Sequence, residues 1–63
     1  MKIKEIVKLI TDTKVYIEIK EKNSGASFGF YTNVYIPEQF EDKEIVSINV
    51  QYVDGKRLIV LEF

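Results

Sequence analysis

An α+β domain is predicted, with one N-terminal amphipathic helix packed on a four-stranded antiparallel sheet made of two hairpins. Three features predict it. Ile3, Ile6, Val7 and Ile10 recur at the i, i+3, i+4, i+7 spacing of a helix. Val15, Ile17 and Ile19 alternate strictly with Lys14, Tyr16, Glu18 and Lys20, as in a strand with one buried face. Asp54-Gly55 stands between two apolar-patterned segments and tolerates the positive φ angles of a type I′ hairpin turn. A chain of 63 residues is one domain, close to the lower limit for a single unstapled core.

Lys2, Lys4, Glu5 and Lys8 gather on the polar side of the first element, although the alternation Ile3, Glu5, Val7, Leu9 leaves a strand reading open. Thr11, Asp12 and Thr13 compete for backbone groups in turns and stop the helix. The first strand covers residues 14–20, and the cluster Lys22, Asn23, Ser24, Gly25 turns the chain. In the second strand Phe28, Phe30, Thr32, Val34 and Ile36 alternate with Gly29, Tyr31, Asn33 and Tyr35. With those four turn residues as the loop, Ile19 lies opposite Phe28, Ile17 opposite Phe30 and Tyr16 opposite Tyr31.

Pro37 ends that strand, and its fixed φ suits the start of a helical turn over residues 37–42 anchored by Phe40. A third strand spans residues 44–52. Through a two-residue turn at Asp54-Gly55, Val50 pairs with Ile59, Ile48 with Leu61 and Val46 with Phe63. On the other face Gln51 meets Leu58, Asn49 meets Val60 and Ser47 meets Glu62. A three-residue loop with a bulge would instead put Glu62 on the core side, so the two-residue register is preferred.

Residues 58–63 run apolar with little alternation, which usually marks a strand covered on both faces. A four-stranded sheet is roughly 15 to 20 Å wide, whereas a helix with its side chains is about 10 Å across. One short helix therefore leaves part of the sheet uncovered. The opposite face carries Tyr16, Tyr31, Tyr35, Leu58 and Val60 among Lys14, Glu18, Asn33, Asn49 and Gln51, a mixture typical of an interface. These five residues are the candidate partner-binding set. The partner is a second copy or another protein, and the last strand is a candidate open edge for strand addition.

Chemistry is sparse. The chain has no Cys and no His, so the commonest general base and the strongest nucleophile are both missing. No enzymatic activity, cofactor or metal site is expected. Glu38, Glu41, Asp42 and Glu44 lack the spacing of a calcium loop. The Ser24 to Gly29 segment lacks the Lys-Ser/Thr ending of a phosphate loop. Net charge is −1, from nine basic and ten acidic residues, and favours no polyanion. Charge is nonetheless uneven, at +2 over residues 1–20 and −3 over residues 37–44. Tyr16, Tyr31 and Tyr35 with Lys14 and Lys20 would suit a single-stranded nucleic acid, but Glu18 lies between the two lysines. With no apolar stretch near 20 residues, no membrane span is expected, and a cytoplasmic location is the default.

Four stretches together resemble a group of small uncharacterised proteins of bacterial prophages and mobile elements: Lys2-Ile3-Lys4-Glu5-Ile6-Val7, Asp12-Thr13-Lys14-Val15-Tyr16-Ile17, Ile36-Pro37-Glu38-Gln39-Phe40 and Glu44-Ile45-Val46-Ser47-Ile48. The resemblance implies a mobile-element setting, such as a phage accessory protein or an inhibitor docking on a host protein. It implies no activity and carries over no functional residues. The expected function is a non-enzymatic, self-associating protein-interaction module, with single-stranded nucleic-acid binding as the alternative.

Overall fold

The computed structural model describes residues 1–12 and 14–63. Among the described residues the order of elements is α1 (Ile3–Leu9), β1 (Val15–Lys20), β2 (Ser27–Thr32), α2 (Glu38–Glu41), β3 (Ser47–Val53) and β4 (Lys56–Glu62). The helix, the four strands and the helical turn before β3 come in the order the sequence predicts, but β3 starts at Ser47 rather than residue 44. β2 ends at Thr32 rather than at Pro37, because the chain turns there with the Tyr35 N–H on the Thr32 oxygen at 3.1 Å. Of the three residues expected to stop α1, Thr13 lies outside the described residues. Asp12 accepts a hydrogen bond from the Lys14 N–H at 2.9 Å, the local turn expected of an Asp after a helix.

The sheet has the order β2-β1-β4-β3. Both hairpins are antiparallel, but the two central strands, β1 and β4, run parallel, from Val15 beside Arg57 to Lys20 beside Glu62. The sheet is thus mixed, where the sequence suggested purely antiparallel pairing. The difference arises between residues 33 and 46, which carry the chain from one edge of the sheet to the other. Each hairpin then presents its most apolar strand to the middle. There Ile17, Ile19 and Leu61 are fully buried. The pairing also accounts for the unalternating run in β4: a strand with neighbours on both sides can bury Leu58 and Val60 on one face and Leu61 on the other. β4 is therefore central, and the open edges belong to β2 and β3.

The second hairpin keeps the register expected from its turn. Asp54 and Gly55 have φ of 52° and 75°, Val53 faces Lys56, and the ladder continues unbroken to Ser47 opposite Glu62. The expected Val46–Phe63 pair is not part of it, because the Val46 N–H bonds the Glu62 oxygen at 2.8 Å and the Phe63 N–H the Lys20 oxygen at 3.0 Å. The first hairpin follows expectation only as far as Lys20 opposite Ser27. A bulge then intervenes at Phe28-Gly29, with Gly29 at φ 114°, and Glu18 faces Phe30, Ile17 faces Tyr31 and Tyr16 faces Thr32. One extra residue flips every later side chain to the other face.

α1 and α2 cover one face of the sheet, here the helix face. Ile3, Ile17, Ile19, Phe40 and Leu61 form the core, with Ile6, Val7 and Ile10 packed against it. Phe40 of α2 is 4% exposed, the anchor its sequence position suggested. Its ring lies 5.4 Å from Phe28, 6.2 Å from Phe63 and 6.4 Å from Tyr31, each tilted. Main-chain bonds from Ile3 to Lys43 (3.0 Å) and from Ile45 to Met1 (2.8 Å) tie the start of α1 to the segment entering β3.

Candidate functional site

The five residues singled out from the sequence do not share one surface. Tyr16, Leu58 and Val60 do share the face opposite the helices, since Tyr16 stands beside Leu58 in the parallel ladder and Val60 follows two residues on. Leu58 is 9% and Val60 4% exposed, flanked by Tyr16 and Gln51 and by Glu18 and Asn49 respectively. Long neighbours on both adjacent strands close over them without a covering element. Tyr31 is turned by the bulge to the helix face, where it packs against the core. Tyr35 lies beyond β2 in the turn closed by its own N–H on the Thr32 oxygen at 3.1 Å.

On the open face Thr32, opposite Tyr16, holds the position that the regular register gave to Tyr31, and Phe30, opposite Glu18, is 62% exposed. Phe30 shares a shallow hollow with Tyr16, Leu58, Lys56 and Arg57. The Lys56 ammonium sits 5.4 Å above the Tyr16 ring. Asp12 approaches Arg57 at 3.8 Å, which offsets part of that positive charge.

A row of exposed apolar side chains lies on the helix face, along β3. Ile48 is directly opposite Leu61 and Val50 opposite Ile59, so they point to the same side as the core. Ile48 and Val50 nevertheless remain 47% and 60% exposed, and Tyr52, next in the row, 71%. Val46, just before the strand, is also 59% exposed. The core beneath the helices is built on Ile17, Ile19 and Leu61 of β1 and β4, with Tyr31 of β2 and Ile59 of β4 packed against it, and no residue of β3 is in that cluster or among those packed against it. The shortfall in cover expected from a single helix is therefore real, but its place is beside the core. Sequence patterning assigned these side chains to the interior because alternation reveals which face a residue takes and says nothing of what lies above it. A second signal was available in composition: residues 47–53 contain no charged residue, Gly or Pro, in a chain that is 30% charged.

The oppositely charged segments meet at the start of α1. The Lys4 ammonium is 2.9 Å and the Lys2 ammonium 3.8 Å from the Asp42 carboxylate. The hydrogen bond and charge of Lys4, aided by Lys2, hold the Asp42 carboxyl below the usual carboxylate range. The same bond and charge raise Lys4. Both groups are solvent-exposed, so this contact orients segments more than it stabilises them. Among the described residues, no three His, Cys, Asp or Glu side chains stand close enough to hold a metal ion. No helix among the described residues is long and apolar enough to cross a membrane.

Comparison of the chain with protein-family models, curated proteins and solved structures finds no match.

Proposed function

We propose that the chain is a non-enzymatic protein-interaction module whose contact surface is the outer side of β3. The carrying observation is the row Ile48, Val50, Tyr52, 47% to 71% exposed on an edge strand without a single charge. Isolated apolar residues on a surface require no explanation, but a contiguous row on an unprotected edge is the pattern of strand addition. A partner strand would satisfy the free main-chain groups of that edge and set its own side chains beside Ile48, Val50 and Tyr52. Photo-cross-linking in cells is the test, using a photoreactive side chain at Tyr52 and, as control, at Leu9, which is also 71% exposed. Protein adducts from Tyr52 that Leu9 does not yield support the reading. Equal yields from both positions, or none, would remove it.

A second reading places a single-stranded nucleic acid on the open face, and the favouring observation is the grouping of Phe30 and Tyr16 with Lys56 and Arg57. Exposed rings stack bases and the cations meet phosphates. Binding of a labelled homopolymer would weaken steeply with salt under this reading, while an apolar strand contact would not.

A further inference from the structure

Resting on the interaction reading, we infer that the partner of β3 is a second copy of this chain, paired antiparallel across a two-fold axis at Val50. The two-residue turn makes Val53 and Lys56 a hydrogen-bonded pair, so alternation directs the main-chain groups of residues 47, 49, 51 and 53 at β4. Those of Ile48, Val50 and Tyr52 then face outward. The three residues with free main-chain groups are thus the same three whose side chains form the exposed apolar row.

Natural edge strands are usually blunted by charge, Pro or a bulge. β2 has its bulge at Gly29; β3 has none of these along Ser47–Val53, and its ladder with β4 is regular throughout. The strand is also self-complementary. With the axis at Val50, Val50 meets its own counterpart, and Ile48 meets Tyr52 of the second copy twice over. All three outward residues are then used, as three hydrogen-bonded pairs. Sliding one copy by two residues leaves only two such pairs. On the open face the same register sets Asn49 against Gln51 of the second copy, amide to amide, and Ser47 against Val53. No charged side chain of β3 enters the contact, so two copies of net charge −1 meet without like charges in register. A seven-residue edge lies below the roughly 1,200 Å² of a standard interface, so the dimer depends on concentration.

The chain has no cysteine, which makes disulfide trapping clean. Hydrogen-bonded antiparallel partners have Cα atoms about 5.5 Å apart, within the roughly 4.4–6.8 Å that a disulfide spans. Val50→Cys is expected to oxidise to a species of twice the mass. Ile48→Cys and Tyr52→Cys alone should not, while a mixture of those two should. Val50→Pro, which removes an outward N–H that β4 does not use, should keep its circular dichroism and sediment as a monomer where the unmodified chain sediments as a dimer. Self-pairing is overturned if Val50→Cys cross-links no faster than Leu9→Cys, or if the unmodified chain stays monomeric at the highest soluble concentration. The mass of the Tyr52 photo-adduct separates the two failures: an adduct with a different protein overturns self-pairing and leaves the interaction reading standing, whereas no adduct removes both.

Discussion

The Tyr31 hydroxyl donates to the main-chain oxygen of Phe28 at 2.6 Å, reaching back across Gly29. A Cβ on Gly29 would stand 3.3 Å from that hydroxyl, at a φ of 114° that side chains rarely adopt. The bond and the glycine together hold the bulge that puts Tyr31 on the helix face and Phe30 on the open face.

Gly29→Ala should therefore destabilise the fold by about 1–3 kcal/mol, with Tm falling by roughly 4–8 °C per kcal/mol in a domain of this size. Tyr31→Phe should cost less, about 1 kcal/mol for the lost hydrogen bond. Thermal unfolding followed by circular dichroism compares them. A neutral Gly29→Ala would mean that the positive φ does not hold the bulge.

The second hairpin offers a purer backbone test. Nothing lies within 4 Å of a Cβ built on Gly55, so Gly55→Ala meets open space and only the left-handed conformation opposes it. A cost of about 1–2 kcal/mol is expected, read as a lower urea midpoint at unchanged slope. Asp54→Asn should leave the midpoint nearly unchanged, because Asn tolerates φ near 52° as well as Asp does.

Core and edge should respond differently. Leu61 is fully buried at the centre of the sheet, and Leu61→Ala should cost about 2–5 kcal/mol, comparable with the roughly 3–5 kcal/mol that a core of this size supplies. That variant should be largely unfolded. Val50→Thr, at an exposed edge, should shift monomer stability by no more than about 0.5 kcal/mol. Similar losses at both positions would mean that β3 is covered within the single chain.

The Lys4–Asp42 contact sets a direction in pH. Because Asp42 has its folded-state pKa lowered, its contribution is present above the usual carboxylate range and is lost as pH falls through the lowered value. Lys4, raised, contributes below its ordinary value and loses that contribution as pH climbs through the raised one. Asp42→Asn should flatten the acid limb of a stability–pH profile, and added salt should shrink the difference between variant and parent. An unchanged acid limb would assign acid sensitivity to other carboxylates.

Much of this fold is legible in the residues, and the reasons for the rest are local. Asp54-Gly55 leaves one favourable turn, so every pair from Val53–Lys56 to Ser47–Glu62 follows from it. The first hairpin has no such constraint beyond Ser27, because its bulge rests on a single glycine φ and a hydroxyl reaching back along its own strand. Strand order depends on the path of residues 33–46, where only Phe40 announces its burial. For the same reason Tyr16, Leu58 and Val60 could be placed on one face from alternation, while the exposure of Ile48, Val50 and Tyr52 could not be seen. It depends on where α1 lies over the sheet.

Amide hydrogen exchange at Ile48, Val50 and Tyr52, followed as protein concentration is raised, tests the contact edge most directly. In dilute protein these three amides should exchange as fast as those of Asn23 and Ser24 in the loop of the first hairpin, while Asn49 and Gln51, bonded to β4, are protected. Raising the concentration should slow the three together and leave the loop unchanged. If they exchange at the loop rate at every concentration, β3 does not pair with a second copy; if they are already protected in dilute protein, its outer edge is not open at all.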